Sequence, residues 1–164
     1  MDLSEAVKIG NRSVDEVKEF AGTWNTKLVN DKLKIQLKQT EEGGEASVYI
    51  PNKGYTWHTH PKGCPNINDC SIIPPSANDM QVFAERSDDQ HLVITKKRVY
   101  WVKANRAYTK EEIDKIFDFY KILENYFDNS SIDHDDFDKI FTQASRFGNF
   151  FTIYKFKNKN INFT

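Results

Sequence analysis

Residues 56–80 read "TWHTHPKGCPNINDCSIIPPSANDM", and two of the chain's four histidines, His58 and His60, stand there one residue apart with a proline directly after. On a β-strand, alternation turns both imidazoles to one face and Thr59 to the other, and Pro61 stops the ladder. The run from Pro74 to Asp79, "PPSAND", has the form of a loop entering a helix, with Ser76 as N-cap and Asp79 three residues on, in the first turn. Strand and helix are therefore expected to bring two imidazoles and one carboxylate together. Such a set leaves the fourth position of a tetrahedral zinc to water, the pattern of catalytic rather than structural zinc. The plain alternative for an isolated H-x-H is a pair of solvated polar residues at a strand end.

Outward from this stretch the chain alternates strand and helix signals, which predicts an α/β fold. Val14 and Val17 close a short helical pattern, and "EFAGTW" from Glu19 opens the first core strand. Leu33, Ile35 and Leu37 alternate along a second strand, and Gly43-Gly44 reads as a hairpin turn into a strand around Val48 and Ile50, which makes Glu41, Glu42 and Glu45 solvated turn charges. After the site, "MQVFAER" continues as helix, and "HLVITKKRVYWVKA" reads as a hairpin turning at Thr95 to Arg98. Thr109 to Glu112 form a capping box for a long amphipathic helix whose stripe of Ile113, Ile116, Phe117, Tyr120 and Phe127 is core. Beyond Asn129 the composition shifts to a short helix carrying Phe137, Ile140 and Phe141 and a last strand, "NFFTIYKFK". Residues 1–128 are read as the main domain and 129–164 as a C-terminal extension packed on it. His91 opens a strand and His134 lies in the acidic run "IDHDDFD", a solvated helix start, so neither is an expected ligand.

Length and composition bound the function. A chain of 164 residues with 38% hydrophobic content can bury a core. A formal net charge of -1, with acids and lysines interspersed, provides no field for nucleic acid. The first ten residues hold no apolar signal core, and no run reaches the length of a membrane span, so the expectation is an intracellular, cytoplasmic protein, in the host cytoplasm if the source is viral. Cys64 and Cys70 both fall between His60 and Ser76. Two free thiols are the ordinary reading in a cytoplasmic protein; a disulfide or a second metal would pin the loop.

The paired segments His58-Thr59-His60-Pro61 and Ser76-Ala77-Asn78-Asp79 resemble the signature of the JAMM (JAB/MPN-type) zinc metalloproteases, a distant Glu followed by H-x-H-P, a spacer and S-x-x-D. The resemblance spans roughly residues 12 to 105. It implies a JAMM/MPN-like (cytidine-deaminase-like) mixed, curved β-sheet flanked by helices, with the C-terminal helix and strand as an extension. It implies one Zn2+ per chain held by His58, His60 and Asp79. Of the upstream acids, Glu19 matches the family's Glu before an apolar, small and Gly strand start, with Glu16 as the other candidate. Family chemistry makes Glu19 the general base and then acid that moves the proton of an activated water to the leaving amine, and gives Ser76 the oxyanion donor's role. A plain helix cap is the alternative for Ser76, and a solvated carboxylate for Glu19. The implied activity is hydrolysis of a peptide or isopeptide bond of ubiquitin or a ubiquitin-like protein, whose extended tail can add to the cleft as a strand. The alternative is a non-catalytic MPN-like binding module with a vestigial metal site. The chain departs from the pattern in its longer spacer, Lys62 to Pro75, which is expected to border the substrate channel as a lid or clamp. Asp69 lies nearer the usual distance from His60 than Asp79 does but lacks the preceding serine.

Overall fold

The computed structural model describes residues 1–45, 47–51, 54–61 and 73–157. They form an α/β fold whose six-stranded mixed, open sheet runs in the order β2-β1-β3-β4-β5-β6. Chain order is α1 (Ser4–Glu16), β1 (Phe20–Val29), β2 (Lys32–Glu42), β3 (Thr56–Thr59), α2 (Ala77–Glu85), β4 (Gln90–Ile94), β5 (Arg98–Ala104), α3 (Lys110–Asp128), α4 (His134–Gly148) and β6 (Phe151–Lys157). All neighbouring strands pair antiparallel except β3 and β4, which run parallel and are connected through α2. A parallel pair needs such a crossover, so the stretch between His60 and His91 has to leave the sheet and return.

Strand alternation sorts the core into two layers. Leu92, Ile94, Val99 and Trp57 turn to the face covered by α1 through Leu3 and Ala6. Val93, Tyr100 and Val102 turn to the other face, under α2, α3 and α4, where Met80, Phe83, Ile116, Tyr120 and Phe141 meet them. His58 pairs with Val93 and with Ala21, so its side chain shares the face under α2. The β4–β5 hairpin turns at Thr95 to Arg98 as expected, closed by Thr95 N–H donating to Arg98 O at 2.8 Å. The Thr109 capping box is present at the start of α3, and Ile116 and Tyr120 of its apolar stripe are buried.

Two expectations fail. Gly43-Gly44 does not turn β2 into a strand around Val48 and Ile50; the hairpin of this region is β1–β2, which pairs from Phe20↔Glu42 to Val29↔Lys32 and turns at Asn30-Asp31. Those two residues have φ of 49° and 62°, the left-handed pair that a two-residue I′ turn demands and that Asn and Asp tolerate. Residues 47–51 form no strand and run irregularly beside the site. His134 is not solvated: it is buried at the start of α4 with its ring 4.8 Å from that of Phe127. The edge strand β6 pairs with β5 along its whole length, and Asp138 of α4 ties it down, accepting from Lys155 at 2.8 Å and from the Tyr100 hydroxyl.

Candidate metal centre

Glu19 owes its place to two anchors. α1 ends at Val17, whose φ of 54° is left-handed, a conformation costing a β-branched residue about 1–2 kcal/mol. Lys18 N–H donates to Ser13 O at 3.1 Å and the Ser13 hydroxyl donates back to Lys18 O. On the other side Glu19 N–H donates to Gly44 O and Gly43 N–H to Glu19 O, both at 2.8 Å. The backbone of Glu19 is thus fixed between helix and strand, and the residue is buried. Three positions further along, the β1–β2 register shifts at Ala21/Gly22. A Cβ on Gly22 would stand 1.8 Å from Lys38 O, so only glycine allows this bulge beside the site.

His58 sits on β3, buried between Val93 and Ala21, with the Phe83 ring 6.4 Å away. His60 lies just past the strand, where its N–H still reaches Ile94 O at 2.9 Å. Both imidazoles point to one face, as alternation predicts: their Nε2 atoms are 3.1 Å apart. The His60 Nδ1 lies 2.9 Å from Ile73 O. A carbonyl only accepts, so Nδ1 carries the proton and Nε2 is turned into the site.

Asp79 is delivered by the start of α2. Ser76 is the N-cap: its hydroxyl oxygen accepts from Asp79 N–H at 3.0 Å, and the Asp79 carboxylate accepts from Ser76 N–H at 2.9 Å. That reciprocal capping box fixes the carboxylate, which lies 3.2 Å from His58 Nε2 by one oxygen and 3.2 Å from His60 Nε2 by the other. Burial works against the His60 imidazolium, but the hydrogen bond and charge of Asp79 outweigh it and raise His60 above its ordinary 6.5. Burial likewise penalises the Asp79 carboxylate, yet the charge and hydrogen bond of His58, joined by those of His60, hold it well below its ordinary 3.8.

Glu19, His58 and His60 each offer a ligand atom within 4.8 Å of the others, a group near enough to hold a metal ion. All five residues singled out in the sequence, Glu19, His58, His60, Ser76 and Asp79, line one cleft of about 380 Å³. Its walls add residues that the sequence reading did not place at the site. Ile73 supplies the carbonyl that orients His60; Val48 and Ile50 form an apolar side, and Glu45 and Asn78 also line the cleft. No local pattern marks Ile73, because it acts through its backbone. Glu16 points elsewhere, paired with Arg12 at 2.5 Å. Glu42 pairs with Lys18 at 2.7 Å. Of the long spacer, residues 62–72, with Cys64, Asp69 and Cys70, lie outside the described residues.

His91, one strand over, is a core residue. Its Nδ1 meets the Thr56 hydroxyl at 2.8 Å and its ring stacks 4.1 Å from Phe83. Burial, helped by the Arg86 charge, lowers its pKa from 6.5 to about 3. The unfolded chain takes up this proton more readily than the folded one, so the contribution is intact above 6.5 and is lost as pH falls toward about 3. Inside that window His91 should cost about 1.4 kcal/mol of stability per pH unit. Urea midpoints followed through this range should fall steadily, and His91→Gln should flatten the slope; an unchanged slope would remove His91 from the acid response.

No protein-family model matches the chain, and no curated protein matches its sequence. Among the described residues no helix is long and apolar enough to cross a membrane.

Proposed function

We propose that this chain is a zinc-dependent hydrolase of the JAMM type that cuts a peptide or isopeptide bond, with ubiquitin or a ubiquitin-like protein as substrate. One observation carries the reading: the Nε2 atoms of His58 and His60 and the carboxylate of Asp79 converge at 3.1 and 3.2 Å beside Glu19. Ligand atoms on a tetrahedral zinc with bonds of about 2.0–2.1 Å stand about 3.3–3.4 Å apart. The spacing fits. The donor set fits as well, since these groups crowd lone pairs toward one point and are stable there only around a shared proton or a cation. His58, His60 and Asp79 would hold the ion, with Glu19 beside it for proton transfer.

Zinc held there supplies a Lewis acid that brings water's pKa from about 15.7 toward about 7 and polarises a carbonyl. The chain's own residues do the rest. Glu19 accepts a proton on the cleft side and returns it to the departing nitrogen. Ser76 Oγ accepts from Asp79 N–H, which leaves its O–H to donate to the carbonyl oxygen as negative charge develops. Ser76→Ala should therefore show two separable effects: a stability loss of about 1 kcal/mol from the missing cap, and a fall in kcat on the order of 10²-fold. A stability loss alone would leave Ser76 as a cap only.

The test is cleavage of a panel of ubiquitin and ubiquitin-like conjugates, with and without chelator. Cleavage that the chelator stops and added zinc restores supports the reading. A zinc-loaded chain that cuts no conjugate in the panel would contradict it and leave a non-catalytic binding module.

A further inference from the structure

The first turn of α2 carries both Ser76 and Asp79, so whatever fixes that turn fixes the carboxylate. The reciprocal capping box accounts for two of its amides, those of Ser76 and Asp79. Of the two amides between them, that of Ala77 finds a partner outside this box. Ala77 N–H donates instead to Glu124 Oε1 at 2.5 Å, across 47 residues, in the C-terminal part of α3. The other Glu124 oxygen is held by Lys121 Nζ at 3.2 Å. Glu124 is half-buried, with 28% of its side chain exposed, and Ala77 is buried in the layer where α2 meets α3.

We propose that Glu124 is a positioning residue for the metal centre: it occupies the first amide of α2 and so keeps the Asp79 carboxylate on the imidazoles. The reason is competition. A helix start exposes several amides that attract any carboxylate nearby. Asp79 already gives one oxygen to Ser76 N–H, and that oxygen also faces His60. With Glu124 absent, the buried Ala77 amide would draw on Asp79, the carboxylate of its own turn, and pull it from the site. Groups that support ligands in this way typically change metal affinity by about 10–100-fold. The inference rests on the zinc reading above.

The test compares Glu124→Met, which keeps the length but has no acceptor oxygen of this kind, with Glu124→Gln, which keeps one. Zn2+ affinity is measured on the full chain by chelator competition, and the Co2+-loaded visible spectrum reports the ligand geometry. Glu124→Met should fold, bind Zn2+ about 10–100-fold more weakly and show an altered Co2+ spectrum; Glu124→Gln should recover most of both. Wild-type affinity and spectrum in Glu124→Met would overturn the proposal, as would a Met variant that does not fold, which would make Glu124 a structural staple. A wild-type chain that binds neither ion would overturn the zinc reading itself, and this inference with it.

Discussion

Glu19→Gln is expected to keep zinc and fold while lowering turnover on the order of 10²- to 10⁴-fold. The amide matches the carboxylate in shape, so the backbone anchors at Gly43 and Gly44, which do not involve the side chain, stay in place. What it loses is the capacity to take a proton. Glu19 lies within ligand distance of His58 and His60, which makes the metal measurement as informative as the kinetic one. Zinc retained with activity lost assigns Glu19 to proton transfer. Zinc lost would make Glu19 a ligand, and activity retained would take it out of the chemistry. Glu16 is a poor substitute in that last case, because it is exposed, paired with Arg12 and not among the residues that line the cleft.

His58→Ala is expected to abolish stoichiometric zinc binding, a larger loss than the about 10–100-fold typical when only a supporting hydrogen bond goes. His58 is buried and donates nothing to the sheet ladder beyond its backbone. The variant should therefore remain folded, with a cavity cost of a few kcal/mol at most. It should also lift the Asp79 pKa, since the His58 charge is the chief group holding that carboxylate down. Wild-type zinc content in His58→Ala, measured on a chain with an unchanged circular dichroism spectrum, would remove His58 from the metal centre.

What could be read from the sequence divides by range. The His58/His60 pincer was legible because it depends only on strand alternation, and the Ser76–Asp79 capping box because it is a four-residue local motif. The β4–β5 hairpin and the long helix α3 announce themselves by alternation and by a cap in the same way. Misreadings arose where a local signal had no partner to confirm it. Gly43-Gly44 is a turn-forming pair, but the alternation of Val48 and Ile50 after it forms no strand, and that segment became a wall of the cleft instead. His134 stands among acids in sequence, yet its burial is set by Phe127 on a different helix. Ile73 and Glu124 were invisible for a related reason: one acts through a carbonyl and the other across 47 residues, and neither interaction leaves a local pattern.

The most direct measurement is zinc K-edge X-ray absorption on the full chain loaded with Zn2+, together with its metal content. It separates the His58/His60/Asp79 centre from a thiolate site built on Cys64 and Cys70, because sulfur and nitrogen or oxygen scatter at different distances. The expected result is one zinc per chain, nitrogen and oxygen ligands at about 2.0–2.2 Å, and the outer-shell signature of two imidazoles. Sulfur at about 2.3 Å, or a folded chain that takes up no zinc, would contradict it.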